Sequence, residues 1–205
     1  MDMLSKTVGN VEFHFEPLIV ILIMIAVIMV FNTIRAILLR RKGKRIADNI
    51  AAGNYDEVIK DGEKLQKVYK KYNARRSTKA TVQSIEYLNF ALAIAYFSKS
   101  DHERFLEHIN ALLRNDIKEF WLALFYLQQK DADAMKAHYD KINCSESTQV
   151  YRTFLDSVSM HRQGDFAAAQ EKMKEIYPQL KIFVLKQIAD EVFSSEPIRR
   201  SVPTA

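Results

Sequence analysis

The chain has 205 residues, with 30 Lys and Arg against 25 Asp and Glu and a single cysteine, Cys144. One cysteine excludes an intramolecular disulfide and any cysteine-based zinc site, and it suits a reducing compartment. The formal charge of +5 is unevenly spread: residues 1–34 carry −2, residues 35–79 carry +9 and residues 80–205 carry −2. Basicity is thus confined to one segment, and that segment lacks the interleaved aromatics of a nucleic-acid module, so nucleic acid is not an expected partner.

Residues 1–16 form a short acidic tail without a motif. From Leu18 to Phe31 no side chain is polar, and eleven of these fourteen residues are Leu, Ile, Val or Phe. Such residues favour insertion by ~0.3 to 0.6 kcal/mol each at a membrane centre, which easily covers Asn32 and Thr33. Continued through Arg35 to Leu39, the segment spans roughly 33 Å as a helix, against a hydrocarbon core of about 30 Å. Pro17 suits the first turn, and Arg35 is near enough to the end to snorkel. A transmembrane helix is therefore expected over 17–39. A cleaved signal peptide would instead carry a positive leader and a small-residue cleavage site, whereas Asp2, Glu12 and Glu16 precede this run and Asn32, Thr33, Ile34 and Arg35 follow it.

Six bases from Arg35 to Arg45 follow the run and only Lys6 precedes it, so the expected orientation is N-terminus outside and C-terminal domain cytoplasmic. The later apolar stretches, Ile85 to Phe97 and Phe120 to Leu127, are too short to cross, which leaves a single-pass cell-membrane protein. Residues 40–79 form a basic juxtamembrane region. The anchor helix is expected to run on over Arg41 to Ala52, with Gly43 as its point of weakness and Ala52, Gly53 and Asn54 as a turn. A helix then covers Tyr55 to about Tyr72. Val58, Leu65, Val68 and Tyr72 fall on one side and Lys60, Lys64, Lys67 and Lys71 on another. With Arg40, Arg41 and Lys42, these lysines are candidate contacts for anionic lipid, each worth about 1 kcal/mol near such a surface. An ordinary solvated face is the plainer explanation. Residues 73–78 read as a connection.

Helical hairpins recur over 80–193. Ala80 to Ser98 turns at Ser100 and Asp101 into Asp101 to Leu113, with Phe105, Ile109 and Leu112 inward. Ile117 to Gln129 turns at Lys130 and Asp131 into Ala132 to Ile142, and Thr148 to Gln163 turns at Gly164 and Asp165 into Phe166 to Tyr177. After Pro178 a last helix covers roughly Gln179 to Phe193, and 194–205 reads as a flexible tail. Turns at Gly53, Ser100, Lys130 and Gly164 are separated by 47, 30 and 34 residues.

A 34-residue helix-turn-helix period, with Gln163, Gly164, Asp165 and Phe166 followed by Ala169 and Met173, resembles the tetratricopeptide repeat. Leu92, Ala93, Tyr96, Phe105 and Ile109 match its spacing, as do Leu122, Ala123, Tyr126, Met135 and Tyr139. The resemblance covers roughly Ile85 to Tyr177. Asp156 departs from it in a usually apolar slot, Phe105 and Met135 are bulky where Ala is usual, and the terminal Pro is missing or displaced. A generic array of helical hairpins is the alternative. The resemblance implies an all-α fold, a right-handed superhelix and a concave protein- or peptide-binding groove lined by the first helix of each pair. Gln83, Glu86, Asn89, Gln128 and Arg152 are the candidate groove residues, and a solvated face explains each equally well.

Catalytic patterns are wanting. His102 and His108 are six apart, not the four that places two ligands on one helical face. Cys144 has no patterned His partner, His14, His138 and His161 are scattered, and no phosphate loop or nucleophile elbow is found. Glu103 and Glu107 fit surface charge, and Arg199, Arg200 and Ser201 are a weak kinase motif. The expectation is a scaffold or adaptor with no cofactor or metal. An accessory subunit of a membrane complex, using Asn32 and Thr33 against another helix, stays open, as does an enzyme assembled from distant residues.

Overall fold

The structure is a computed structural model that describes residues 15–73, 78–113, 115–143 and 145–194. Nine α-helices and a 3₁₀ turn account for its regular structure, with no strand among the described residues. The expected tail over 1–14 with His14, the connection at 74–77, Cys144, and the C-terminal residues 195–205 with their Arg199, Arg200 and Ser201 motif lie outside the described residues.

Two compact units divide after Gly43. The first contains most of α1, Phe15–Ala52. Its residues Ile21 to Ile34 are exposed throughout; Phe31 reaches 67% and Val27 62%. Gly43 does not break α1, and a Cβ there would touch nothing within 4 Å.

The second unit begins with the last turns of α1, whose Ile46 and Ile50 are buried. Then come α2 (Tyr55–Asn73), α3 (Lys79–Ser98), α4 (His102–Asn110), α5 (Asn115–Gln129), α6 (Ala132–Tyr139), α7 (Glu146–Gln163), α8 (Phe166–Ile176) and α9 (Phe183–Ser194), with the 3₁₀ turn Tyr177–Gln179 before the last. The expected helices are all present. The final one starts four residues later than its pattern indicated, because Pro178 sits inside the 3₁₀ turn.

Four hairpin turns share one construction. Gly53, Ser100, Lys130 and Gly164 have φ of +75°, +57°, +62° and +89°. At each, the next residue's N–H donates to the carbonyl five positions back: Asn54 to Asn49 at 2.9 Å, and Asp101 to Tyr96, Asp131 to Tyr126 and Asp165 to Met160 at 3.0 Å. This bond closes a helix whose C′ residue is left-handed. The aspartates then cap the following helices, Asp101 accepting from the Arg104 N–H, Asp131 from Ala134 and Asp165 from Ala168. A connection of two residues, or three between α3 and α4, therefore ends one helix and starts the next, folding the pair antiparallel.

Packing follows chain order for most of the unit, with α3 against α2 and α4, α5 against α6 and α7, and α8 against α7. Phe105, Ile109, Phe120, Trp121, Leu124 and Phe154 are essentially inaccessible. Gly62 lets α2 approach α3 closely, since a Cβ there would lie 2.9 Å from Leu92 Cδ2. The last helix breaks the sequential pattern. Besides packing on α7 and α8, α9 places Phe183 where a Cβ on Gly53 would be 2.6 Å from its ring. Tyr55 Oη lies beside Ser98 and the Val184 backbone, yet neither hydroxyl meets the geometry of a hydrogen bond. Burial pushes the Tyr55 phenol above its ordinary range. The first turn and the last helix thus meet, which a stack of hairpins in chain order does not require.

Candidate functional site

Three surface features bring the chemistry of this chain together. The first is the outer face of α2. Its buried side consists of Tyr55, Val58, Gly62, Leu65 and Gln66, and opposite it Lys60, Lys64, Lys67 and Lys71 are exposed, as the helical spacing required. Each of the four carboxylates of α2 is drawn into an ion pair. Asp56 meets Lys99 at 2.7 Å, Glu57 meets Arg45 at 2.9 Å and Lys60 at 3.3 Å, Asp61 meets Arg45 at 3.2 Å, and Glu63 meets Arg104 at 3.5 Å. Lys60 is therefore partnered, while Lys64, Lys67, Lys70 and Lys71 have no ion-pair partner among the described residues. Lys70 is exposed too but lies off that face, one turn after the buried Gln66 and close enough to His108 to disfavour its charged form. Arg40, Arg41 and Lys42 lie on α1 in the first unit, Arg40 and Arg41 exposed.

The second feature is a depression of about 330 Å³ lined by Gln83, Glu86, Tyr87, Phe90, Leu112 and Ile117. It unites two of the five expected groove residues. Asn89, one turn further on, does not join them: it is buried, and its Oδ1 accepts from Gln66 Nε2 at 2.6 Å and faces His108 Nδ1 at 3.2 Å. A buried amide needs such partners, so Asn89 ties α2, α3 and α4 together and is removed from the candidate groove. His108 stacks flat on Tyr96, and burial pushes its imidazole below its ordinary range. His102 is exposed, so the two histidines do not share a surface. Among the described residues no group of three His, Cys, Asp or Glu is placed to hold a metal ion.

The third feature is a groove between α6 and α7. Gly62 touches Leu92 across the α2/α3 contact, and nine residues past each turn Gly62 is matched by Ile109 and Tyr139. Leu92 is matched on the later first helices by Leu122 and Asp156. At the last of these contacts the apolar pair becomes polar, with Tyr139 Oη donating to Asp156 Oδ1 at 2.8 Å and Lys172 Nζ 3.5 Å from the same carboxylate. α6 and α7 are thus tied here by a hydrogen bond between half-buried side chains, where the α2/α3 contact is apolar. None of the eight residues of α6 is buried.

Three adjoining depressions lie along α6 and α7, two larger lobes and a small waist that shares Met135 with one and Tyr139 and Asp156 with the other. One lobe, about 560 Å³, is lined by Leu127, Gln128, Lys130, Met135, Arg162 and others. The waist, about 160 Å³, passes Met135, Tyr139 and Asp156, and the second lobe, about 510 Å³, holds Gln149, Arg152, Thr153 and Lys172. Arg152 lies over the Tyr139 ring with 4.4 Å to its centroid and donates to the Ile142 carbonyl at 3.1 Å. Arg162 donates to the Leu127 carbonyl at the end of α5. Gln128 and Arg152 thus belong to one site, at its opposite ends. Lys130, Lys136, Tyr139, Asp156 and Arg162 belong to it too and were not among the expected residues. The only signal for them in the sequence was Asp156, polar in an apolar slot.

No protein-family profile, curated protein or solved structure matches this chain.

Proposed function

We propose that this chain is a membrane-anchored helical-repeat adaptor. In this reading α1 holds it in the cell membrane with its N-terminus outside, α2 rests on the anionic cytoplasmic leaflet, and the hairpin array presents a surface to a protein or peptide partner. The observation that carries it is the sorting of charge on α2: every carboxylate is neutralised from within the fold, and Lys64, Lys67 and Lys71 are left facing outward, with exposed Lys70 on the flank. Anionic headgroups attract each such lysine by about 1 kcal/mol, screened beyond ~8 Å at physiological salt. The anchor is supported by an apolar helix none of whose membrane-length window is covered by protein, and the orientation by the bases that follow it. The repeated turns, with their shared bonds and the 30- and 34-residue spacings, support a tetratricopeptide-like array.

Residues 44–205 form a compact unit with their own buried core, so the surface can be tested apart from the anchor. That fragment is expected to sediment with phosphatidylserine-containing vesicles, not with purely zwitterionic ones, and to be released as salt rises. Replacing Lys64, Lys67, Lys70 and Lys71 by Gln should abolish the binding. Equal binding to both vesicle types, or none at low salt, would leave α2 as a solvated face.

A second reading, an accessory subunit packed through its anchor, is favoured by Asn32. The Thr33 hydroxyl donates to its own Met29 carbonyl at 2.8 Å, whereas the Asn32 side chain is exposed on the apolar helix and suited to bond a neighbouring one.

A further inference from the structure

We infer that the groove between α6 and α7 binds an extended acidic peptide of about eight residues, with an aliphatic side chain seated at the Leu127 end. The inference deepens the adaptor reading and gives its partner a chemistry. Length comes first: the α7 residues along the groove run from Glu146 to Gln163, roughly 26 Å of helix, which matches about eight residues of extended chain. The waist decides the conformation. The depression of about 160 Å³ between the two lobes is crossed by the Tyr139–Asp156 hydrogen bond at 2.8 Å, so an occupant lies over that bond, where an extended chain needs less depth than a helix ~10 Å across.

Charge sets the composition. The groove carries Lys130, Lys136, Arg152, Arg162 and Lys172 against Asp131, Glu146 and Asp156. Two of the acids are occupied, Asp131 capping α6 and Asp156 accepting from Tyr139 and facing Lys172, while Glu146 stands in the first turn of α7, where the helix end favours it; among the bases, Arg152 and Arg162 donate to backbone carbonyls. Lys130 and Lys136 have no carboxylate among the described residues. The Arg162 guanidinium lies beside the larger lobe, where burial lowers it from its ordinary range and the Glu191 carboxylate acts the other way. Leu127, Ala132 and Met135 give that lobe an apolar wall for one aliphatic side chain.

The test uses the full chain in neutral detergent and two fluorescein-labelled octapeptides, one alternating Glu and Leu and the other alternating Lys and Leu, read by anisotropy. Saturable binding of the acidic peptide alone is expected. The double variant Lys130→Glu and Lys136→Glu should weaken it about tenfold or more. Asp156→Leu restores the apolar contact seen at Leu92, so it should close the waist and remove binding without lowering the melting temperature. The variant with Lys64, Lys67, Lys70 and Lys71 changed to Gln should bind as the parent does. Binding of both peptides alike, binding of neither, binding that survives both groove variants, or loss in the α2 variant would each overturn the site. The vesicle assay contains no peptide, so the adaptor reading stands or falls separately.

Discussion

Replacing Trp121 by Ala is expected to cost about 3 to 5 kcal/mol, a large part of the 5 to 15 kcal/mol that holds a domain of this size. Trp121 is 1% exposed. Its ring meets Phe97 at 5.2 Å and Phe90 at 6.4 Å, both on α3, and its own neighbour Phe120 at 5.5 Å. Phe120 in turn meets Tyr151 and Phe154 on α7. Trp121 is therefore the junction through which three successive first helices share one core, and a cavity there cannot be filled by moving a single side chain. Urea unfolding of residues 44–205, followed by circular dichroism, should show the midpoint fall sharply with the slope unchanged. An unchanged midpoint would mean that Trp121 faces outward and contacts a partner.

The second large effect is expected at Gly53. A left-handed φ of +75° costs Ala roughly 1 to 2 kcal/mol, and its Cβ would lie 2.6 Å from Phe183 Cδ1, an overpacking worth about 1 to 3 kcal/mol more. Gly53→Ala should therefore destabilise the 44–205 fragment by several kcal/mol. Phe183→Ala alone should also destabilise it. Combined, the two should cost less than their sum, because the second change makes room for the first. Strict additivity would show that the first turn and the last helix do not touch in solution.

How much of this was legible beforehand differs between elements. The hairpins over 80–177 were readable because each is bounded by local chemistry: an aspartate at each of the three turns from Ser100 to Gly164, and apolar residues three and four apart. The turn residues Ser100 and Lys130 lack the glycine signal and were still placed, since the following Asp marks the helix start. Asn89 stands among Ile85, Leu88, Leu92 and Ala93, but its burial as an amide depends on bonds from Gln66 and His108, which its own segment does not show. The docking of α9 on Gly53 was illegible for the same reason. Nothing within twenty residues of Phe183 says where its ring goes. The lysine face of α2 was visible as a spacing, but its significance depends on Arg45, Lys99 and Arg104 reaching over to the acids, which only the folded chain brings there. In the groove, Asp156 stood out as a polar residue in an apolar slot, while Lys130 and Lys136 looked like any surface lysine until α6 was seen to stand apart from α7.

The adaptor and subunit readings assign the partner to different parts of the chain. In the first the partner binds the hairpin array, and in the second it packs on α1 around Asn32. Purifying the intact protein from its own membranes in mild detergent, beside a version lacking residues 1–40, separates them. The adaptor reading predicts one stoichiometric partner that co-purifies with both forms. A partner that co-purifies with the intact chain and is lost with the anchor would contradict it.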